Sequence, residues 1–387
     1  MIQKGPSILR LADFVNGSPF KPDDLGAEGF PVIRIRQLVD RTADVESALP
    51  PARPVWINDG DVVFSWSATL AVKEWDRGKA LLNQHLFRVD PAGGVDRIWL
   101  RYVIEVAIDR LRPLMHGSAM THITLDMLRS VTIGLPDHRR QRAIADRLDA
   151  ETARIDALIT KRQRQIGLLA EESAALRNRL IWAGDPATTP LRHITDPARP
   201  IMYGIVLPGP DTPGGVPIIK GGDVKRPLSV ERLARTTPEI ESRYRRARLR
   251  KGDVLFAIRG GVGDSAIVPS DVAGANITQD VARIAPGPTV CTDWLAHAVQ
   301  TSRFLADAEE RITGATIRGL NIWELKRCCV PVVSMADQQV AVETLSELLG
   351  RRSELARLAR RQIELLRERR QALITAAVTG QLSSATT

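Results

Sequence analysis

Few residues of this chain are spaced for catalysis. Its six histidines, at 85, 116, 122, 138, 193 and 297, are scattered. None adopts the H-E-x-x-H spacing that would set two imidazoles on one helix face around a metal. The three cysteines are Cys291 and the adjacent Cys328 and Cys329, which gives neither a zinc spacing nor a disulfide framework. Cys328 and Cys329 lie in an apolar run entering Val330-Pro331 and read as core packing. Gly261-Val262-Gly263-Asp264-Ser265-Ala266 fits G-x-G-x-x-A, but a dinucleotide loop needs a helix next, whose N-terminus holds the pyrophosphate. Ile-Val-Pro-Ser-Asp follows instead, so a tight turn between two strands is expected. There is no G-x-x-x-x-G-K-[ST] phosphate loop and no G-x-S-x-G nucleophile elbow. Neither Asn-Pro-Pro-Tyr nor Asp-Pro-Pro-Tyr, the signature of exocyclic-amine methyl transfer, occurs. No catalytic residue and no metal ligand is assigned.

The other chemistry is basic. Arg243-Tyr244-Arg245-Arg246-Ala247-Arg248-Leu249-Arg250-Lys251 carries six positive charges in nine residues. Such a run displaces condensed counterions from phosphates, or else forms a solvated face or partner-binding edge. Lys220, Lys225, Arg226, Arg259, Thr316 and Arg318 fall at strand ends and Gly-flanked loops, where side chains reach base edges in a groove. Arg34, Arg36, Lys73, Arg77, Lys79, Thr121 and His122 are their counterparts earlier in the chain. Each of these also reads as an ordinary surface group. Aromatic residues make up only 4%, too few for a single-strand stacking platform.

The elements that must position these residues come in two copies. GSAMTHITLDMLRSVTIGLP (117–136) aligns with GATIRGLNIWELKRCCVPVV (314–333) at an offset of 197, which continues through Gln141 on Gln338 and RQRQIGLL on ARRQIELL. Upstream the offset shrinks as loops differ. LNQHLFRV (82–89) meets ITQDVARI (277–284) and Trp99-Leu100 meets Trp294-Leu295, both at 195; Gly60-Asp61-Val62 meets Gly252-Asp253-Val254 at 192, and Pro31-Val32-Ile33 meets Pro217-Ile218-Ile219 at 186. Five matches in order mean one module of about 190 residues written twice.

Each module has two parts. Residues 1–136 and 184–333 are rich in Gly and Pro, with short apolar runs such as PVIRI, DVVFSW, VPIIK and DVLFAI. They read as strands and turns, with helices around Trp99–Ile108 and Trp294–Ala308. Residues 137–183 and 334–380 hold a heptad seam, leaving 381–387 as a flexible tail. Alternating steps of four and three from Gln141 meet apolar residues at eight of twelve positions, including Leu148, Ile155, Ile159, Ile166 and Leu169. The same steps 197 residues later give nine of twelve, including Leu345, Leu349, Ile363, Leu366 and Leu373. A seam this long argues for coiled coil, and at 1.5 Å per residue some 40 residues span roughly 60 Å. The expected partner of each helix is the other copy, in an antiparallel pair about a pseudo-twofold axis. The fold class is therefore α+β: two similar mixed α/β domains separated by two long helices. A second chain or another protein could cover the same seams.

Size and charge agree. The 387 residues exceed a typical single core, and 44% hydrophobic with 26% charged residues is ordinary globular composition. No stretch approaches the roughly 18 apolar residues of a membrane span, and MIQKGPSILRLADFVNG has no secretory h-region. With the reduced cysteine pattern, a cytoplasmic protein without a membrane partner is expected. The net charge of +9 comes from 54 basic and 45 acidic residues. Residues 1–136 are neutral, with 16 of each sign, and residues 184–333 hold 20 basic against 16 acidic. Net charge is therefore a weak argument for nucleic acid, and the duplication carries more.

Two variable modules, each ending in an apolar strand, Q-x-x-I/V-A and a long heptad helix, resemble the specificity subunit of type I restriction–modification systems. The carriers are GLPDHRRQRAIADRLDAETARIDALITKRQRQIGLL (134–169) and PVVSMADQQVAVETLSELLGRRSELARLARRQIELLRERRQALITAAVTGQL (331–382), so the resemblance covers essentially the whole chain. Arg140-Gln141 replaces the family's acid-Gln in the first copy, and Ile181-Trp182-Ala183-Gly184 replaces the Val-Thr-Gly close seen at Val378-Thr379-Gly380. The resemblance implies a non-catalytic subunit without a cofactor of its own. It implies two target-recognition domains (1–136 and 184–333), each reading half of a split sequence in double-stranded DNA, and spacer helices that fix the gap. It also implies two modification subunits carrying S-adenosylmethionine, and two nuclease-motor subunits using ATP and Mg. A coiled-coil scaffold with incidental DNA contact, and an enzyme using the 261–266 loop, are the alternatives.

Overall fold

The chain, in a computed structural model, is described over residues 5–115, 122–312 and 319–381. Thr121, Thr316 and Arg318 lie outside the described residues. Two compact units result, Met1–Arg162 with Arg361–Thr387, and Gln163–Arg360. Each takes one globular part together with half of each long helix.

In the first unit the strands are β1 (Ala12–Asn16), β2 (Phe30–Ile33), β3 (Ser47–Ala48), β4 (Trp56–Ile57), β5 (Val62–Ser65), β6 (Ala71–Glu74), β7 (Ala80–Leu82) and β8 (Leu86–Pro91). The helices are α1 (Ile35–Val39), α2 (Arg97–Leu111), α3 (Leu125–Ser130) and the first part of α4 (His138–Ile181). One antiparallel sheet has the order β1-β8-β5-β6, and the other has the order β3-β2-β7-β4 with β2 and β7 parallel. The second unit adds β9 (Thr188–Pro190), β10 (Met202–Tyr203), β11 (Val216–Ile219), β12 (Arg235–Thr236), β13 (Val254–Ala257), β14 (Ser265–Ile267), β15 (Asn276–Ile277), β16 (Val281–Ile284) and β17 (Cys329–Pro331). Its helices are α5 (Pro238–Ser242), α6 (Thr292–Ala298), α7 (Ser302–Glu310), α8 (Ile322–Leu325) and the first part of α9 (Met335–Val378).

The duplication persists in the topology. The sheet β10-β16-β13-β14 repeats β1-β8-β5-β6, and β12-β11-β15 repeats β3-β2-β7, again with the last pair parallel. The aligned Gly60 and Gly252 have φ of +92° and +84°, the left-handed region that glycine enters without a Cβ clash. Asp61 and Asp253 then accept the backbone N–H three residues earlier, from Asn58 and Arg250, both at 2.7 Å. Trp99 and Trp294 are both buried, each in its unit's main core with Phe64 or Phe256.

The Gly261–Ala266 segment closes the β13–β14 hairpin, where Asp264 N–H donates to Gly261 O and Gly263 stands at φ +106°. The helix expected over Trp294–Ala308 is two helices, α6 and α7. Thr301 ends the first run and caps the second, its hydroxyl accepting Phe304 N–H at 3.3 Å and Trp182 Nε1–H at 3.1 Å. A threonine caps a helix start well because its side-chain oxygen satisfies an orphan N–H. Cys328 is fully buried, and burial pushes its thiol up to about 12.

All twelve seam positions on α4, and all twelve on α9, are buried or half-buried. In the first unit Ala145 and Leu148 pack with Ile374, Ala377 and Val378, so the start of α4 meets the end of α9. Arg370 of α9 pairs there with Asp156 of α4 and Glu105 of α2. In the second unit Leu176 and Ile181, late in α4, share a core with Leu345, early in α9, and Arg352 approaches Glu172 at 3.7 Å. The two helices run antiparallel within each unit. Exposed pairs such as Arg351–Glu347 and Arg357–Glu354 follow i,i+4 and i,i+3 spacing on the outer faces, where solvent screening leaves them little net stabilisation.

The glutamine that opens each long helix is a clamp. Gln141 Oε1 accepts Asp96 N–H at 2.7 Å, while its amide nitrogen donates to Pro136 O at 2.8 Å and Gly94 O at 3.2 Å. Gln338 does the same with Cys291 N–H at 2.8 Å, and with Thr289 O and Val333 O at 3.2 Å. Each ties the start of α2 or α6 to the start of a seam helix, with all of its donor and acceptor capacity facing backbone.

Candidate nucleic-acid interface

A groove of about 400 Å³ in the first unit is lined by Arg34, Ile35, Arg36, Gln84 and His85, with Phe20 behind them. Arg34 sits where β2 hands over to α1; its backbone N–H donates to Gln37 Oε1, and its guanidinium reaches Glu46 at 3.3 Å. Arg36 is exposed. His85 is half of a pair with Trp66, ring centroids 5.8 Å apart, and Ser67 Oγ lies 3.3 Å from its Nδ1. A groove in the second unit is about 570 Å³ and is lined by Tyr203, Arg259, Gln279 and Asn321, with Leu320 and Ile322 beneath; it shares with the first groove the aligned pair Gln84 and Gln279. Arg259, exposed just after β13, is bridged to Gly319. Leu320 N–H donates to Ile258 O at 2.9 Å, as Ile123 N–H donates to Trp66 O at 2.7 Å. At aligned positions the repeated scaffold carries unlike side chains, Ser67 against Arg259 and Thr124 against Asn321 at this groove, and Arg34 against Lys220 and His85 against Asp280 at the first.

A third concave surface, about 280 Å³, is lined by Arg199, Arg245, Arg246, Arg248, Arg250 and Arg283. Arg199 forks onto buried Asp253 at 2.6 and 2.7 Å, and Arg248 onto buried Glu241 at 3.0 and 2.6 Å. The Arg248 fork holds the Glu241 carboxyl below its usual range despite burial. Arg283 is fully buried and donates to Pro200 O and Arg246 O. Burial, with Arg199 adding to it, lowers its pKa to about 10. Arg245, Arg246 and Arg250 stay exposed on this surface, and Arg243 is exposed two residues before them.

The remaining sequence candidates are spread over other surfaces. Lys73 is exposed on β6. Lys79 Nζ lies 4.3 Å over the Trp56 ring, which it shares with Phe30. Arg77 stacks over Trp75 at 4.1 Å and donates to Gln37 O; burial and nearby Arg41 lower its pKa. Its guanidinium is thus occupied by the fold. His122 is exposed and bridged to Ser67. Lys220, Lys225 and Arg226 are exposed on the turn after β11, and Lys225 pairs with Asp264 at 3.3 Å. Among the described candidates, Arg34 with Arg36 line one groove, Arg245 with Arg246 line another surface, and Lys220, Lys225 and Arg226 share a turn whose Gly221 packs against the Arg259 carbonyl.

Sequence reasoning did not single out Gln84, Gln279, Tyr203 or Arg283. The 195-residue alignment that pairs Gln84 with Gln279 and Arg88 with Arg283 was the available signal. Among the described residues no cluster of His, Cys, Asp and Glu could hold a metal, and no helix is long and apolar enough to cross a membrane.

Residues 9–168 match the family model described as the type I restriction modification DNA specificity domain. The specificity subunit of the type I restriction enzyme EcoBI from Escherichia coli is 23% identical over 411 residues, covering 98% of this chain and 86% of that protein. A chain solved for the structural basis of complex assembly and conformational transition of the type I R-M system superposes with a TM-score of 0.69 at 17% identity, covering 98% of this chain and all of that one. That likeness is one of fold. The HsdS subunit of Thermoanaerobacter tengcongensis, also 17% identical and covering 97% of this chain and 96% of its own, reaches only 0.46. The second module lies beyond residues 9–168, but its two sheets repeat those of the first in order and direction.

Proposed function

We propose that the chain is a type I restriction–modification specificity subunit, supported by the family model matched over residues 9–168 and by the relative that covers 98% of it, and that each module reads one half of a divided double-stranded target. The carrying observation is the repeated scaffold with unlike side chains at aligned groove positions: Arg34 against Lys220, Arg36 against Gly222, His85 against Asp280, Ser67 against Arg259 and Thr124 against Asn321. Equal frames with different side chains suit two different half-sites, since base edges are read by the donors and acceptors presented to them. The exposed arginines at 243, 245 and 246 act on phosphates, which position the duplex without selecting sequence.

The chain supplies recognition, and chemistry falls to its partners. Two modification subunits with S-adenosylmethionine dock on the two modules, and two nuclease-motor subunits using ATP and Mg complete the restricting complex. α4 and α9 act as the spacer that sets the gap between half-sites. The test is co-expression with the cognate methyltransferase in cells lacking other methylation, followed by mapping of modified adenines. Two short, unlike half-sites separated by a fixed unspecified gap are expected. A single continuous motif would contradict the reading.

A further inference from the structure

Gln84 and Gln279 are the same residue of the two modules, 195 positions apart, and each lines a groove, Gln84 beside Arg34 and Arg36 and Gln279 beside Arg259 and Asn321. Each sits in a three-residue link between a short parallel strand and the central antiparallel sheet: β7 to β8 in the first unit, β15 to β16 in the second. Each link is locked by the same contacts. Gln84 N–H donates to Ser18 O at 2.9 Å and Gln279 N–H to Ile205 O at 3.0 Å. The preceding residues form parallel bridges, Ser18 with Asn83 and Ile205 with Thr278. The chains approach so closely that a Cβ on Gly17 would stand 2.2 Å from Asn83 O, and one on Gly204 1.9 Å from Ile277 O. These amides therefore stand on rigid backbone rather than on loose loops, which is what a side chain needs if it is to select one base by hydrogen-bond geometry.

Both side chains are half-exposed. Gln279 Oε1 is shielded from solvent and has no hydrogen-bond partner among the described residues. An acceptor withheld from water and left unpaired is costly, and such groups call for an explanation in function or a missing partner. A carboxamide offers one donor and one acceptor side by side. Once a turn about its side-chain torsions brings the shielded oxygen into the groove, that pattern complements adenine in the major groove, with its N7 acceptor and N6 amino donor.

We propose that Gln84 and Gln279 are specificity-determining residues, each reading the major-groove edge of one adenine in its own half-site. The assignment rests on the two-reader function proposed above. Selection from a randomised duplex library, using this chain in complex with its methyltransferase partner, reads both half-sites at once. Gln84→Ala relaxes one A·T position in one half-site, by about ten- to a hundredfold, while the other half-site keeps its preference and certifies an assembled complex. Gln279→Ala does the reverse. Gln84→Glu replaces the amino donor with a second acceptor and moves the same position from adenine toward cytosine, whose N4 donates; it decides the matter if Gln84→Ala selects nothing. Unchanged preference at every position, or relaxation confined to G·C positions, overturns the assignment. A wild-type complex that selects no divided target overturns the two-reader function instead.

Discussion

Replacing Gln338 with Met keeps side-chain length and removes three hydrogen bonds at a position only 4% exposed. Cys291 N–H, Thr289 O and Val333 O lose their partner together. The three bonds are only part-buried and Thr289 is exposed, so water can reach its carbonyl, and the loss is set at that of one stranded polar group, about 1–3 kcal/mol. In a unit of this size each kcal/mol lowers the melting temperature by about 2–4 °C, which places the shift between about 2 and 12 °C. The assay is thermal unfolding followed by tryptophan emission, because Trp294 and Gln338 line the same small cavity. Gln141→Met has the same effect in the other unit, through Asp96 N–H, Gly94 O and Pro136 O. Gln338→Glu separates the bonds: it keeps the acceptor for Cys291 but turns a carboxylate toward two carbonyl oxygens, and so destabilises at neutral pH at least as much as Met. A shift below about 2 °C for Gln338→Met, or wild-type melting for Gln338→Glu, would refute the clamp.

Three further outcomes follow from particular contacts. Burial and neighbouring Arg177 hold the His297 imidazole at about 4, with Asp293 opposing. The unfolded chain binds this proton more readily, so the neutral ring contributes stability that is complete above about pH 6.5 and is lost as pH falls toward 4, at most about 3 kcal/mol. Denaturation midpoints between pH 4 and 7 should show a steeper decline for wild type than for His297→Gln. Asp253→Ala strands the Arg199 fork and should cost about 3–5 kcal/mol, whereas Asp61→Ala loses a single backbone cap worth about 1 kcal/mol; equal melting of the two would refute buried pairing as the source. The triple substitution Arg243→Ala, Arg245→Ala, Arg246→Ala should weaken DNA binding uniformly across sequences and make the slope of log K against log salt shallower by about 2–3. An altered target motif would instead make these arginines base readers.

Much of this architecture was legible because a duplication records itself twice. The 192- and 195-residue offsets aligned Gly60 with Gly252 and Trp99 with Trp294, and these perform the same jobs in the two cores. The heptad steps marked the residues that α4 and α9 keep from solvent because a 3.5-residue repeat needs only local sequence to be recognised. The break at Thr301 was not legible, since nothing in SRFLADAEE forbids a continuous helix; the Trp182 indole, 119 residues away, helps fix the cap. The grooves were illegible for a related reason. Arg36 and Gln84 meet only because β2 and β7 pair in parallel, and Arg259 meets Gln279 through the β13–β16 register. Arg77 shows the converse, a basic residue well placed in sequence whose guanidinium the fold uses for Trp75 and Gln37.

The central claim, two independent readers in one chain, is tested most directly by exchanging one of them. Residues 1–136 are replaced by the corresponding module of a relative with a different target, the rest of the chain is kept, and methylated sites are mapped after co-expression with the methyltransferase partner. One half-site should change while the other half-site keeps every base. A change in both half-sites, or in neither, would rule out two independent readers.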